Sequence, residues 1–411
     1  TLDERLWLDE YFDAWYFWTK LAPDPDPWRD RSLSEYFEAS LYTGGDARFP
    51  RDRWSYMESS SDFDRFFGEG RTLGYGVYLA GIETQGDPTR PLRVRWVAPH
   101  SEAALQGVQR GDEIVMVDGR AAAQLVAADD YGVFTPDREG RTLALVLRRG
   151  GTERSLTLRA TVYALEPVTL TRVLSSMQGR RMGYLHVKDM IAQGEKALDD
   201  AFASLRAAGI SELAIDLRYN GGGLVSTARR LASYVSGDRT RDQVFARLLY
   251  NDRRASAENE ALRFERRDRA LALSRVYVLA GPRTCSASEL VVNGLRPFVE
   301  VVTVGAASCG KPVGFRPVSR CDTTFSVVNF EGVNALDQGR YFDGIAATCP
   351  VEEDFSVPLG EASEPLLATA LAHADSGRCT AAGAGQRRPQ QARGPGHRGG
   401  EPPERQGMWM R

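Results

Sequence analysis

Residues 276–295 constrain the fold more strongly than any other part of the chain. They begin as an apolar, β-branched run, break at Gly281-Pro282 and resume with helical spacing at Ser286. A strand followed directly by a helix leaves backbone N–H groups free at the helix start, where the helix dipole favours negative charge. Ser286 therefore has two interpretations. It is a nucleophile beside an oxyanion site, or the N-cap of a helix whose capping box Glu289 completes.

The composition is that of a globular protein and excludes several function classes. The chain has 411 residues, enough for two or three domains, with 42% hydrophobic and 26% charged residues. A net charge of −3 gives no reason to expect a nucleic-acid or membrane-surface partner. No apolar run is long enough to cross a bilayer. No signal peptide is visible in a sequence that starts Thr1-Leu-Asp-Glu-Arg, so we interpret the start as a processed end or a cloning boundary.

Four regions follow one another along the chain. Residues 1–68 carry aromatic residues at helical spacing and predict a small N-terminal helical domain. Residues 69–165 are short β-rich runs divided by glycines, and residues 166–375 alternate strand and helix, which predicts an α/β domain with a parallel sheet. Within that domain the polar, Arg-rich stretch 237–273 is predicted to be a helical insertion. Residues 376–411 lack an apolar period and are predicted to be disordered.

Three turns of the α/β region could carry chemistry. Residues 216–223 end in three glycines, which let a backbone approach a ligand closely. A phosphate-binding loop is excluded there because no Gly-Lys-Ser/Thr ending follows. The second turn holds Ser286, and the third, residues 305–314, holds Lys311. The chain has only four lysines, and lysine, unlike arginine, can lose its proton when buried. Lys311 is thus a candidate general base for Ser286, or else a surface lysine present by chance.

Together these motifs resemble the S41 family of serine proteases, the C-terminal (tail-specific) processing peptidases, and in particular bacterial lipoprotein-type members. The resemblance rests on Asp216-Leu-Arg-Tyr-Asn-Gly-Gly-Gly, on Ser-Ala-Ser-Glu starting at Ser286, and on Lys311, 25 residues later. It implies a ClpP/crotonase-like βαβ spiral as the catalytic fold. It also implies a Ser286–Lys311 dyad and an oxyanion hole formed by the amides of Gly223 and Ala287.

The β-rich region resembles a PDZ domain of the kind found in bacterial proteases. The features that match are residues 104–115 and the loop Gly74, Tyr75, Gly76 and Val77. The resemblance implies a groove in which a peptide adds as a strand and places its terminal carboxylate on the loop amides. A rigid β-domain without a ligand is the alternative.

One position departs from the S41 pattern. Many members carry a glutamine four residues after the lysine to orient it, and here Phe315 stands at that position. Glu289 and Ser288 are nearby candidates for the missing orienting group, although both also suit a helix cap. His186, alone on a strand, is interpreted as structural. Cys285 is a minor alternative nucleophile.

The five cysteines lack the spacing of a zinc site, and we expect neither a metal nor a cofactor. Cys285 and Cys309 flank the two dyad residues, so we expect a disulfide between them. Cys321 and Cys349 are expected to form a second disulfide. Buried free thiols in a cytosolic protein are the alternative.

These observations predict a serine endopeptidase that cleaves polypeptides recruited by their C-terminal tails. Its partners would be peptide or protein substrates, without nucleic acid, and with the membrane only through a lipid anchor outside this chain. Its location would be the periplasmic side of a bacterial cell envelope. The alternatives are a catalytically silent peptide-binding scaffold, which the Phe315 departure favours, and a non-proteolytic acyl hydrolase.

Overall fold

Helices and strands alternate through most of the computed structural model, which describes residues 1–379 and 408–410. The helices are α1 (Leu2–Trp15), α2 (Leu33–Ser40), α3 (Ser60–Phe63), α4 (Gly81–Thr84), α5 (Glu102–Leu105), α6 (Ala122–Ala128), α7 (Glu195–Ala207), α8 (Val225–Ser236), α9 (Ala255–Glu258), α10 (Ala287–Leu295) and α11 (Pro365–Ser376). Within these described ranges, none of the helices has the length and apolar character needed to cross a membrane.

The strands are short, and most lie in two six-stranded sheets. They are β1 (Tyr56–Ser59), β2 (Arg71–Gly74), β3 (Val77–Leu79), β4 (Val94–Val97), β5 (Glu113–Val117), β6 (Arg120–Ala121), β7 (Thr142–Arg149), β8 (Thr152–Arg159), β9 (Thr161–Ala164), β10 (Val168–Ser175), β11 (Arg181–Val187), β12 (Glu212–Asp216), β13 (Gly222–Leu224), β14 (Val244–Tyr250), β15 (Glu260–Arg263), β16 (Arg275–Ala280), β17 (Glu300–Gly305), β18 (Val313–Phe315), β19 (Val318–Arg320), β20 (Thr323–Ser326), β21 (Val328–Val333), β22 (Cys349–Pro350) and β23 (Met408–Met410).

The first sheet, in the order β10-β11-β12-β16-β17-β22, is parallel except for the edge strand β10. Helix α7 connects β11 to β12, and α10 connects β16 to β17. Alternate residues of β16 enter two cores: Val276 and Val278 pack with α8 and α10, and Tyr277 and Leu279 pack under α11. Burial on both faces explains the uninterrupted apolar run of this strand. The predicted mixed α/β architecture is confirmed.

The second sheet corrects one prediction. Its order is β13-β23-β18-β21-β14-β15, and the Arg-rich stretch 237–273 contributes β14 and β15 to it instead of a helical insertion. Leu248 in β14 lies opposite Gly332 of β21. This long-range partner buries one face of a segment whose charged residues hide the period of a strand.

The N-terminal segment shares its core with the α/β region. Aromatic residues of α1 and α2 pack in one cluster with Val313, Phe315 and Val328. Strand β1 pairs with β20, with Tyr56 opposite Ser326. The predicted helical segment is therefore joined by a strand to the sheet β1-β20-β19, and its packing helps to shape the surroundings of β18.

Residues 69–165 have a core of their own and contact the α/β region through aromatic and charged side chains. Four strands form the sheet β6-β5-β7-β8, and β2-β9 and β3-β4 form two-stranded pairs. Most of their apolar side chains make one cluster, while Tyr78, Trp96 and Tyr163 pack with Tyr219 of the α/β region. Arg110 reaches out of this region and lies 2.8 Å from Glu353.

A buried charge cluster holds the segment that leads to the three glycines. Arg218 is 2% exposed and its guanidinium lies 2.9 Å from Asp216, 2.7 Å from Glu364 and 3.2 Å from Glu353. Burial alone would raise the pKa of Asp216, but the Arg218 charge and the hydrogen bonds from Arg218 and Tyr184 keep that pKa below its ordinary value. The cluster therefore anchors β12 and the turn after it.

The predicted disordered tail, residues 376–411, lies only partly within the described residues. Ser376 is the last residue of α11, Cys379 is disulfide-bonded, and residues 408–410 form β23, which pairs in parallel with β13. The remainder of that prediction lies outside the described residues.

Candidate functional site

Ser286 occupies the junction between β16 and α10 in an unusual backbone conformation. Its φ is 59° and its ψ is −116°, a region that residues with a side chain seldom adopt. The side chain is fully buried. Its Oγ faces the helix start in the manner of a capping box but makes no hydrogen bond. A strained backbone that presents an unpaired hydroxyl is more typical of a nucleophile than of a helix cap.

Lys311 lies in the third turn, just before β18, and is also fully buried. Its Nζ has no hydrogen-bond partner and lies 3.5 Å from the centre of the Phe315 ring. Burial lowers the pKa of Lys311 well below its ordinary range, and the charges of Asp52 and Glu289 oppose this only in part. Ser286 Oγ and Lys311 Nζ therefore make no hydrogen bond with each other or with any other group of the described residues.

Glu289 ties the two turns together through its carboxylate. Oε2 accepts hydrogen bonds of 2.8 Å from both the Ser286 amide and the Lys311 amide. Oε1 accepts from the Gly310 amide at 2.8 Å and from the Ser308 hydroxyl. Burial raises the pKa of Glu289, while these four donors lower it. Because all four bonds point toward the carboxyl group, they suit its ionised, acceptor-only form. Glu289 therefore positions backbone and does not contact Lys311 Nζ.

A disulfide joins the same two turns. Cys285 and Cys309 are bonded, with Cα atoms 5.2 Å apart, as the sequence predicts. The second predicted disulfide is wrong: Cys349 bonds Cys379, and Cys321 is an exposed free thiol. Cys349 lies on β22 in the parallel sheet, where the end of α11 brings Cys379 to it, whereas Cys321 lies at the turn between β19 and β20 in another sheet.

The three glycines place strand β13 against the turn that carries Ser286. A Cβ on Gly222 would lie 2.8 Å from Ser286 Cβ and 3.0 Å from the Ala287 amide nitrogen, so this position requires glycine. Gly223 faces the other way, with its α-carbon against the Met190 carbonyl. The Gly222 amide donates to Asn220 Oδ1 at 2.8 Å, and Gly223 lies opposite Trp409 in the pair of strands β13 and β23.

Asn220 and Asp52 are site residues that the sequence reasoning missed. Asn220 Oδ1 accepts from the Gly222 amide and the Ser288 hydroxyl, and its Nδ2 donates to Val187. Its position directly before three glycines was the available signal. Asp52, from the N-terminal segment, raises the pKa of Lys311, and no local pattern links these two residues, which are far apart in the chain.

The remaining candidates have structural partners. The Ser288 hydroxyl donates to Asn220, so it is not available to orient Lys311. His186 is buried beside Thr169, and burial lowers its pKa to about 4. Cys285 is consumed by its disulfide and offers no thiolate.

The loop Gly74, Tyr75, Gly76 and Val77 lines a different pocket. Lys188 and Asp189 of the α/β region line the same pocket, and Lys188 is 2% exposed. Lys188 Nζ lies 3.3 Å from Asp189 and 5.1 Å from the centre of the Tyr78 ring. The structure thus separates this loop from the turns that carry Ser286 and Lys311.

Substituting Glu289 with glutamine should destabilise the fold. The amide NH₂ would face two of the four donors, leaving two buried N–H or O–H groups without an acceptor, at about 1–3 kcal/mol each. We expect the free energy of unfolding, measured in urea, to fall by about 2–6 kcal/mol. The matched control is Glu361→Gln, whose half-exposed carboxylate pairs with Arg172; its effect should be below about 1 kcal/mol. Equal, small losses in both variants would contradict the assigned role of Glu289.

Several known proteins are similar to this chain in sequence. The family model for peptidase family S41 matches residues 181–344. The chain is 27% identical over 264 residues to the carboxyl-terminal-processing peptidase 1, chloroplastic, of Arabidopsis thaliana, covering 63% of this chain and 51% of that protein. It is 24% identical to the carboxyl-terminal-processing protease of Synechocystis over 56% of this chain and 52% of that protein. It therefore spans about half the length of the curated relatives it matches.

A solved structure of a similar protein has a similar fold. The structure of an S41 protease from Bacteroides fragilis superposes with a TM-score of 0.69 at 23% identity, covering 90% of this chain and 97% of that one. The matched region contains both the turn that carries Ser286 and the turn that carries Lys311. Residues 181–344 therefore form a peptidase family S41 domain.

Proposed function

We propose that this chain is a serine endopeptidase in which Ser286 is the nucleophile and Lys311 the general base. The observation that carries the proposal is the pair of fully buried, unpartnered polar groups on two turns that Glu289 and a disulfide join. Leaving such groups unpaired costs free energy, which favours a functional reason for their retention. The similarity to processing peptidases supports the same reaction class.

The reaction would use these groups in sequence. Neutral Lys311 Nζ takes the Ser286 proton as Oγ bonds to the substrate carbonyl carbon. The carbonyl oxygen becomes an oxyanion held by the Gly223 and Ala287 amides. Lys311 then returns the proton to the departing amine as the C–N bond breaks, leaving an ester on Ser286. Water, deprotonated by Lys311, hydrolyses this ester.

Neutral Lys311 is essential to this scheme, because an ammonium cannot accept a proton. Its pKa lies well below the ordinary range because burial disfavours the charged form. In the substrate complex Ser286 Oγ and Lys311 Nζ have to form the hydrogen bond that they lack in this structure, as catalytic hydrogen bonds often do.

Substrate recruitment would use the PDZ-like region. A peptide carboxylate at the loop of residues 74–77 would meet backbone amides and, in the same pocket, the buried cation of Lys188. The proposed substrates are therefore polypeptides with a free C-terminal tail. We place the chain on the periplasmic side of a bacterial envelope, where its two disulfides would persist.

Fluorophosphonate labelling tests the proposed nucleophile. The probe should modify Ser286, and peptide mass mapping locates the modified residue. Ser286→Ala should abolish both the labelling and the cleavage of a protein substrate with a free C-terminal tail. The same protein with an amidated C-terminus should be cleaved several-fold more slowly, because the loop then lacks its anion. Folded protein that resists the probe would support the silent scaffold. Labelling without cleavage of any polypeptide would support an acyl hydrolase.

A further inference from the structure

The ring of Phe315 lies against the amine of Lys311. The ring centre lies 3.5 Å from Nζ, and Nζ makes no hydrogen bond within the described residues. The ring is completely buried. An amine over an aromatic face is attracted to the negative side of the ring, as a cation and more weakly as an N–H donor. The ring can therefore hold Nζ in place where a hydrogen-bonding partner is missing.

The N-terminal segment supports Phe315 from another side. The Tyr56 ring packs edge-on against Phe315, with ring centres 5.8 Å apart at an angle of 75°. Phe315 lies on β18, paired with β21, and in the same apolar cluster as α1 and α2. The ring is therefore fixed by packing and cannot turn away from the lysine without opening that cluster.

We propose that Phe315 is a positioning residue that holds Lys311 Nζ by its ring face, with Tyr56 fixing the ring from the N-terminal segment. This inference rests on the proposed Ser286–Lys311 dyad and explains how a lysine without a hydrogen-bonding orienter keeps a defined place. It assigns the N-terminal segment a part in the reaction, since Tyr56 of that segment packs against the ring.

The charged groups around Lys311 determine the sign of the expected effect. Asp52 from the N-terminal segment and Glu289 from α10 favour the ammonium form, as does the Phe315 ring, whereas burial disfavours it. Weakening the ring's attraction should therefore lower the pKa of Lys311 further. The pH range in which the reaction rate rises, as Lys311 loses its proton, should then move to lower pH.

Stepwise fluorination of Phe315 tests this without changing the packing appreciably. Phenylalanine carrying one, two or three fluorines is incorporated at 315, which weakens the negative ring face progressively. With only four lysines in the chain, ¹³C-lysine NMR can follow each titration, and Lys311→Met assigns the signal. We expect the Lys311 titration to move to lower pH with each fluorine, by about one pH unit over the series.

The control series places the same residues at Phe330, a buried ring on the paired strand β21. It should leave the Lys311 titration unchanged. A titration unaffected by fluorination at 315 would overturn the proposal. As a second variant, Tyr56→Ala should slow fluorophosphonate labelling several-fold, and Tyr56→Phe should restore it; equal rates in all three proteins would contradict the role of Tyr56.

Two failures remain distinguishable. If the titration responds to fluorination but Ser286 is never labelled, Phe315 holds the lysine and the proposed peptidase function is wrong. If Ser286 is labelled but the titration does not respond, the dyad stands and the role of Phe315 is wrong.

Discussion

Replacing Lys311 with methionine should lower the rate of fluorophosphonate labelling and of peptide cleavage by about 10²- to 10⁴-fold. Methionine fills the buried pocket but cannot accept the Ser286 proton. Lys311→Arg should lose activity to a similar extent, because a guanidinium does not deprotonate in a protein. The rates are measured from pH 5 to 10 with the wild-type protein alongside. The wild-type rate should rise as Lys311 loses its proton, and the variants should lack that limb.

An exposed lysine provides the control for this substitution. Lys196 pairs with Asp200 on the surface of α7, so Lys196→Met should retain the wild-type rate and its dependence on pH. Wild-type activity in Lys311→Met would exclude Lys311 as the base. A comparable loss in Lys196→Met would show that the effect is not specific to the site.

The same substitution should increase stability at neutral pH. The folded pKa of Lys311 lies below its unfolded value, so the unfolded chain binds one more proton between the two. The stability of the wild-type protein therefore rises with pH from the folded pKa up to about 10.4, the ordinary pKa of lysine. Lys311→Met lacks this dependence, and its advantage in urea unfolding should shrink as the pH rises.

Replacing Arg218 with methionine should lower the free energy of unfolding by about 3–5 kcal/mol at pH 7. Asp216 and Glu364 are fully buried and would lose the cation that each contacts. Thermal and urea unfolding measure the loss. Arg172→Met is the matched control, because its half-exposed pair with Glu361 should contribute below about 1 kcal/mol. Similar losses in both variants would contradict the assigned importance of the buried cluster.

The pH dependence of the Arg218 variant gives an independent check. In the wild-type protein the pKa of Asp216 is lowered, so its contribution is present above the unfolded pKa and is lost as the pH falls through the folded pKa. In the variant, which lacks Arg218, burial should raise the pKa of Asp216 instead. Protonation of Asp216 at low pH then removes its buried charge. The stability difference between the two proteins should therefore narrow as the pH falls toward about 4. A difference independent of pH would indicate lost packing alone.

The sequence alone determined the features that depend on neighbouring residues. The apolar run ending at Gly281, the helical spacing from Ser286 and the alternation of strands with helices are local patterns. They predicted the mixed α/β architecture and the position of the strand-to-helix turn at Ser286. The scarcity of lysine singled out Lys311 because deprotonation distinguishes lysine from arginine.

Only the tertiary structure decided which distant groups meet. Cys349 bonds Cys379 instead of Cys321, and the Arg-rich stretch 237–273 forms strands, because partners in other elements supply the contacts. Glu289 looks like a helix cap in sequence, yet its carboxylate also binds the turn at Lys311. Residues 276–295 therefore specify a serine at a helix start. The burial of Lys311 against the Phe315 ring depends instead on packing between three separate segments of the chain, which no local pattern encodes.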